Sequence, residues 1–581
     1  MKNIIKSRFL PLLLCMAIVL PSCKDMLDTN SNTYLNTDDN LLQSANDSLY
    51  SVIGIVQKME QLGERYVALG ELRGDLMDVT KNASMDLQAV ADFTATADNP
   101  YLSTKEYYAV INNCNYYLQH VDTSIVSAGR KVMLGEYALV KTLRAWTYLQ
   151  LGLNFGKVFW IEEPVLTIDD MNRQYPEISV EELVPRLISD IEPFVGLEDY
   201  PSYGSINGLS INASLIPVPV MLAELTMWNA TFTGSVAEYE KAARLYYHYF
   251  TTSSAYRACT QYNQYYDSEF KEISGASTWF SYFTALNETV SCIRYNYNFS
   301  ESPVIPPLAL LCLPSNMSDT YKVQPSQAAI SLWNNEIYAF YRSSQKDVVY
   351  NYGDLRGNPG STMATGSYSY ASTNEADSLP YITKYGYLRG SSANILYFVN
   401  LFREGKMYLR YAEALNMAGK PSLAFAVLKY GLKYEVLTDP AKVSPDEITP
   451  FPDYCDFTSD TYSTYSSNRG LHSRGCGNVD YDTVYYAFTP ETLNENRAYY
   501  GFPETLDTKT DSMQFVNVMI CKELGLETAF EGNRFHDLMR LSKVHERLTG
   551  KSDFLARWVG RKNPALEAKL ENQANWFLPF K

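Results

Sequence analysis

Two stretches of the chain repeat one plan. Residues 220–234 carry apolar side chains at helical spacing and stop at Gly234, and residues 238–250 resume the pattern. Residues 406–419 do the same, stopping at Gly419, with a second apolar-faced run over 422–432. Each unit reads as a helix, a glycine turn and a second helix with Ala and Tyr or Leu on one face. A helical hairpin of this kind cannot bury its apolar face alone, so it has to stack on others. That requirement predicts a mainly α fold in which helix pairs form the scaffold.

Further helical patterns support it. Periodic apolar positions mark helices over 41–62, 105–121 and 132–153, the last with Leu134, Ala138, Ala145, Tyr148 and Leu149 on one face and a stop at Gly156. Residues 180–194 follow, where Pro185 predicts either a helix start or a kink. Helix returns at 515–530 and 534–548. The hairpins have the plan of tetratricopeptide-like repeats, but not the ~34-residue period of a regular array, so long insertions must interrupt them. Residues 251–400 are the main one. They hold 20 charged residues in 150, against 20% for the whole chain, and 18 of the 47 tyrosines. Weak periodicity and Pro303, Pro306, Pro307 and Pro314 predict loops and short strands over a helical base. Residues 445–510 form a second polar, Tyr-rich excursion. The 581 residues therefore read as one large helical domain over 41–581 rather than as about four domains of ~150 residues each.

The N-terminus reads as an address. Lys2, Lys6 and Arg8 precede an apolar run over 9–20, which is shorter than the ~20 residues needed to span a bilayer. Leu20-Pro21-Ser22-Cys23 has the form of a bacterial lipobox, so residues 1–22 are expected to be a signal peptide and Cys23 the lipidated first residue. Lys24 to Asp28 resembles a surface-export signal, and residues 23–40 suit a flexible tether. No second apolar segment of spanning length is read. Losing the three basic residues of the leader takes the formal charge from −16 to −19, which disfavours nucleic-acid backbones as partners.

Catalytic and metal constellations are not found. The chain has only 5 histidines and lacks CxxC, HExxH, GxSxG and Walker A patterns. Gly550-Lys551-Ser552 imitates the end of a P-loop, but the required glycine five positions earlier is His545. No cofactor or metal is expected. Seven scattered cysteines beyond Cys15 and Cys23 are not a disulfide framework. Cys455 and Cys476 share one loop-rich segment and are the pair with an opportunity to join. Arg73-Gly74-Asp75 spells an adhesion tripeptide, yet its helical context argues against presentation.

Four stretches carry a family resemblance: the lipobox; Gly70-Glu-Leu-Arg-Gly-Asp75; Glu136 to Gly156, with Arg144, Ala145 and Tyr148 at the family's spacing; and Leu409 to Asn416 together with Glu531-Gly-Asn-Arg-Phe-His-Asp-Leu-Met-Arg540. In this order they resemble the SusD/RagB family of Bacteroidetes outer-membrane nutrient-binding lipoproteins, with Phe535-His536 departing from the commoner aromatic pair. The resemblance implies a tetratricopeptide-like helical scaffold with a loop-rich ligand face. It also implies a non-enzymatic lipoprotein at the cell surface that hands glycans or peptides to a TonB-dependent, SusC-like outer-membrane barrel. A secreted glycosidase is the weaker alternative, motivated only by abundant carboxylates.

Sugars offer an apolar C–H face to aromatic rings and hydroxyl edges to polar side chains. Tyr101, Trp279, Tyr282, Tyr295, Tyr297 and Trp333, with Asn99 as polar partner, are the candidate ligand contacts; Trp146 and Trp228 are expected in the core. The motif charges Glu136, Arg144, Arg410, Glu413, Glu531, Arg534 and Asp537 are expected to form structural ion pairs. Glu136 and Arg144 lie about two turns apart on one helix face.

Overall fold

The computed structural model describes residues 45–252, 288–295, 307–312, 321–357, 368–370, 380–385, 397–458, 469–493 and 497–580, apart from a few short gaps and one isolated position. The leader, Cys23 and the tether lie outside them, as do Trp279, Tyr282 and Tyr297.

The longer helices are α1 (Ala45–Leu72), α2 (Lys105–His120), α3 (Leu134–Phe155), α4 (Val180–Ile191), α5 (Val218–Thr233), α6 (Val236–Thr252), α7 (Glu404–Met417), α8 (Pro421–Tyr430), α9 (Lys509–Thr528) and α10 (Arg534–Thr549). Local chemistry sets their ends. Ser179 and Glu182 form a reciprocal capping box at the start of α4, and Thr508 and Asp511 do so for α9. Pro185 sits inside α4, so the helix starts at the cap and not at the proline. Gly156 and Gly234 end α3 and α5 with φ of 78° and 72°, a left-handed conformation that costs a side-chain-bearing residue far more than glycine.

Consecutive helices pack from α1 through α8, α9 packs on α7 and α8, and α10 returns to α1 and α5. Helix α6 packs directly on α7, so the chain leaves the stack near 252 and rejoins it near 404. The core runs continuously through these layers and includes Trp146 and Trp228, both buried. Helix α5 is buried nearly all round. With the residues before it, 212–233 is long and apolar enough to cross a membrane, which corrects the reading that no such segment follows the leader. Its burial inside the helical stack accounts for that composition.

Within 251–404 the described residues form two-stranded antiparallel sheets and two short helices, Pro307–Cys312 and Gln327–Asn334. Strand Thr289–Tyr295 pairs with Tyr397–Arg403, setting Tyr295 opposite Tyr397. Strand Val323–Pro325 pairs with Met77–Val79 and lays the insertion beside the C-terminal end of α1. Cys455 and Cys476 are separate, buried thiols. Cys455 lies against the Tyr411 hydroxyl at 3.1 Å, and Cys476 donates to Asp354 at 3.4 Å.

The motif charges are buried and paired. Arg410 binds Glu224 of α5 at 3.0 Å and Asp537 of α10 at 2.6 Å, while Arg540 holds Glu413 at 2.7 and 2.8 Å. This network ties α5, α7 and α10 together. A second network joins the insertion and the 469–476 segment to α9 and the turn after it. Arg356 contacts Glu523 and Glu527, Arg403 contacts Glu527 and Glu531, Lys384 contacts Glu531, and Arg474 contacts Glu527. Arg144 likewise locks adjacent helices, as expected of a motif charge: it donates to Asp190 of α4 at 2.7 Å and to Asn115 of α2 at 2.8 Å.

The Gly70–Asp75 motif is a docking point for the turn before α10. A Cβ on Gly70 would lie 1.9 Å from the Gly532 carbonyl oxygen, so only glycine admits this approach. Glu71 accepts the backbone N–H groups of Phe530, Gly532, Asn533 and Arg534 at 2.8–3.3 Å. Arg73 donates to the carbonyls of Leu69 and Trp576 and stacks on Phe535. Arg73 and Asp75 are buried, so the tripeptide is not presented for adhesion.

Candidate ligand face

Helix α1 carries Glu64 in its C-terminal half, half-buried at the edge of the stack. Of the aromatic residues chosen from sequence, Tyr101 meets it there and Tyr295 comes against the adjoining Gly63. Tyr101 lies in the short 3-10 turn Pro100–Leu102, and its hydroxyl donates to Glu64 Oε1 at 3.0 Å. Tyr295, at the end of its strand, approaches α1 at Gly63, where a Cβ would lie 2.2 Å from the phenolic oxygen. Both rings are half-buried.

The electrostatics couple the three groups. Burial pushes the Glu64 carboxyl up, opposed by the Tyr101 hydrogen bond and by the charges of Lys322 and Arg65. Burial, then the charges of Glu64 and Glu60, pushes the Tyr295 phenol well up. Tyr101 is pushed up too, by burial first and then by Glu64. Both phenols therefore keep their protons at neutral pH. Arg65 braces the margin by donating to Glu106 at 2.9 Å and to the Pro100 carbonyl at 3.3 Å. The face thus combines two half-buried aromatic rings with the Glu64 carboxyl and the Tyr101 hydroxyl, which suits a polyhydroxylated or amide-rich ligand.

Two other sequence candidates take structural roles. Asn99 caps the 3-10 turn: its carbonyl oxygen accepts from Tyr101 N at 3.0 Å and its amide donates to the Asp86 carbonyl at 2.9 Å. Only 6% exposed, it positions Tyr101 and does not stand free as a polar contact. Trp333 is 1% exposed, packs on Phe530, and its indole N–H points to the Leu526 carbonyl. It belongs to the core because it lies on the inner face of the helix Gln327–Asn334. Glu64 was not among the sequence candidates: the helix pattern was read only to 62, whereas α1 runs on to Leu72, and a glutamate past a helix end ordinarily reads as solvated. The preceding Gly63 was the available sign of a close approach.

No family model matches the sequence, and no curated protein matches it either. Solved structures do match the fold. A SusD homolog from Bacteroides thetaiotaomicron VPI-5482 superposes with a TM-score of 0.54 at 12% identity, covering 92% of this chain and 94% of the other. A SusD superfamily protein from the same organism gives 0.53 at 16% identity over 91% and 98%. NanU of B. fragilis gives 0.52 at 14% identity over 89% and 94%. With helix pairs in this order and coverage of nearly the whole of each chain, the protein has the SusD-like fold.

Proposed function

We propose that this protein is a lipid-anchored cell-surface receptor for a nutrient oligomer, a glycan, which it binds without chemical change and delivers to a TonB-dependent outer-membrane transporter. The observation that supports this reading is Tyr101 held by the Glu64 carboxyl, with Tyr295 against the adjoining Gly63, beside the aromatic, charge-poor insertion. Aromatic faces cover sugar C–H surfaces, and the carboxyl and phenols satisfy hydroxyl edges. Cys23 would hold the protein at the outer membrane by its acyl chains.

The test is calorimetry of a soluble Cys23→Ala protein against a panel of oligosaccharides and a panel of peptides. Glycan binding that Tyr101→Ala abolishes supports the reading. Binding of peptides alone would replace glycan by peptide, and appearance of cleaved products would overturn the assignment as a receptor. Affinity capture from the native membrane should recover a large β-barrel transporter; capture without one would refute the delivery step.

A further inference from the structure

A cavity of about 290 Å³ opens elsewhere on the molecule, between α9, residues 335–337, and residues 472–492 and 500–502. It shares no lining residue with the Tyr101 face. Its inner wall holds Glu336, His472, Tyr486, Tyr500 and Lys522, and its rim holds Tyr485, which is 39% exposed.

The inner wall is built and polar. Lys522 Nζ holds Glu336 Oε1 at 2.7 Å and sits 4.8 Å from the centre of the Tyr500 ring. The other Glu336 oxygen lies 4.0 Å from His472 Nε2, too far for a hydrogen bond and close enough for one ligand hydroxyl to bridge. His472 Nδ1 contacts the Glu523 carboxylate, which fixes the hydrogen on that nitrogen and leaves Nε2 as an acceptor when the ring is neutral. The Tyr486 ring stacks on His472 at 3.8 Å and 9°. Among the described residues its buried hydroxyl has no hydrogen-bond partner. A buried phenol without a partner is costly, and Tyr486 is one of the residues that line the cavity.

Charge restricts what can enter. Glu336, Asp482 and Glu491 line the cavity against Lys522, whose ammonium is already engaged by Glu336. Acceptors outnumber free donors, so an anionic ligand is disfavoured. Tyr485 at the rim offers flat apolar surface. The volume suits one small ring rather than an oligomer.

We propose that this cavity is a second ligand site that takes a single small, donor-rich, non-anionic ring molecule, a hexose or an amino sugar. The site does not depend on the receptor reading of the Tyr101 face.

The experiment is a titration of the soluble Cys23→Ala protein with glucose, glucosamine and glucuronic acid, read by saturation-transfer NMR. Glucose or glucosamine should bind, and glucuronic acid should bind about tenfold more weakly or not at all. Stronger binding of glucosamine than glucose assigns the amino group a role; equal binding assigns the hydroxyls alone. Tyr486→Phe should weaken binding by about fivefold, and Tyr101→Ala should leave it unchanged. If Tyr486→Phe lowers the melting temperature, the exposed rim variant Tyr485→Ala provides the same reading. Three results overturn the proposal: no binding of either glucose or glucosamine, equal binding of glucuronic acid, or binding lost with Tyr101→Ala and indifferent to Tyr486 and Tyr485.

Discussion

Asp75 and Arg534 stand 459 positions apart in the chain and meet through two parallel hydrogen bonds of 2.6 and 2.9 Å, both residues fully enclosed. The same arginine donates to the Cys521 carbonyl at 2.8 Å. One guanidinium therefore joins the end of α1, α9 and the first turn of α10. Asp75→Ala leaves that guanidinium buried without its counter-charge and should cost about 3–5 kcal/mol. Denaturant titration would register it as a lowered midpoint with an unchanged slope. An unmoved midpoint would contradict the role given to the pair.

Two glycines in α1 should respond in opposite directions to the same change. Gly70→Ala drives a methyl into the Gly532 carbonyl, 1.9 Å from where the Cβ would sit, and should destabilise by about 1–3 kcal/mol or more. Gly54→Ala meets nothing within 4 Å and should stabilise by about 0.5–1 kcal/mol through helix propensity. Thermal melts of the two proteins side by side check both signs.

The tyrosines predict alkaline unfolding. Burial pushes the phenols of Tyr107 and Tyr239 from 10.0 to about 12. The unfolded chain releases these protons near pH 10 and the folded chain holds them, so stability is intact below that pH and falls as pH rises toward 12. Tyrosinate absorbance should therefore rise together with loss of helical circular dichroism. Smooth titration of every phenol near pH 10 with the helices intact would contradict this.

An acid limit follows from Glu224. Burial pushes its carboxyl up, but Arg410, Lys406 and Arg540 outweigh burial and hold it at about 2. Its contribution to stability is present above pH 4.5 and is lost as pH falls toward 2. Glu224→Gln should flatten the pH dependence of stability in that window and lower stability at neutral pH, as measured by denaturant titration at a series of pH values.

On the ligand face, Tyr101→Phe removes the hydroxyl held by Glu64 and keeps the ring. It should weaken glycan binding by about fivefold. Tyr101→Ala and Tyr295→Ala should each weaken it by about tenfold to thirtyfold through loss of aromatic surface. Calorimetry separates the two effects.

Helices were legible in the sequence because their apolar periodicity and caps are local: α2 and α10 begin at Lys105 and Arg534, where the pattern put them. The charged motifs were legible as structural pairs, since buried charges require partners. The partner itself was not always legible. Arg144 reaches Asp190, 46 positions away, and packing of separate helices makes that choice. Trp333 read as a surface aromatic because its surroundings are loop-rich, and its burial depends on Phe530 from across the fold. Tyr101 was legible as an aromatic just before the helix at Lys105, whereas Glu64, which accepts its hydroxyl, carried no distinguishing local signal beyond Gly63.

The attachment of the 251–404 insertion has a consequence for how such a chain can change over generations. Its departure and return lie side by side where α6 meets α7, which would make it look like an exchangeable cassette. Yet it brings Arg356, Lys384 and Arg403 to Glu523, Glu527 and Glu531. Excising it whole would strip buried Glu531 of both its cations and leave Glu527 to Arg474 and Glu523 to His472. Sequence variation is therefore channelled: the stretches between these rivets can be rewritten, while the rivets themselves can change only in concert with their acids.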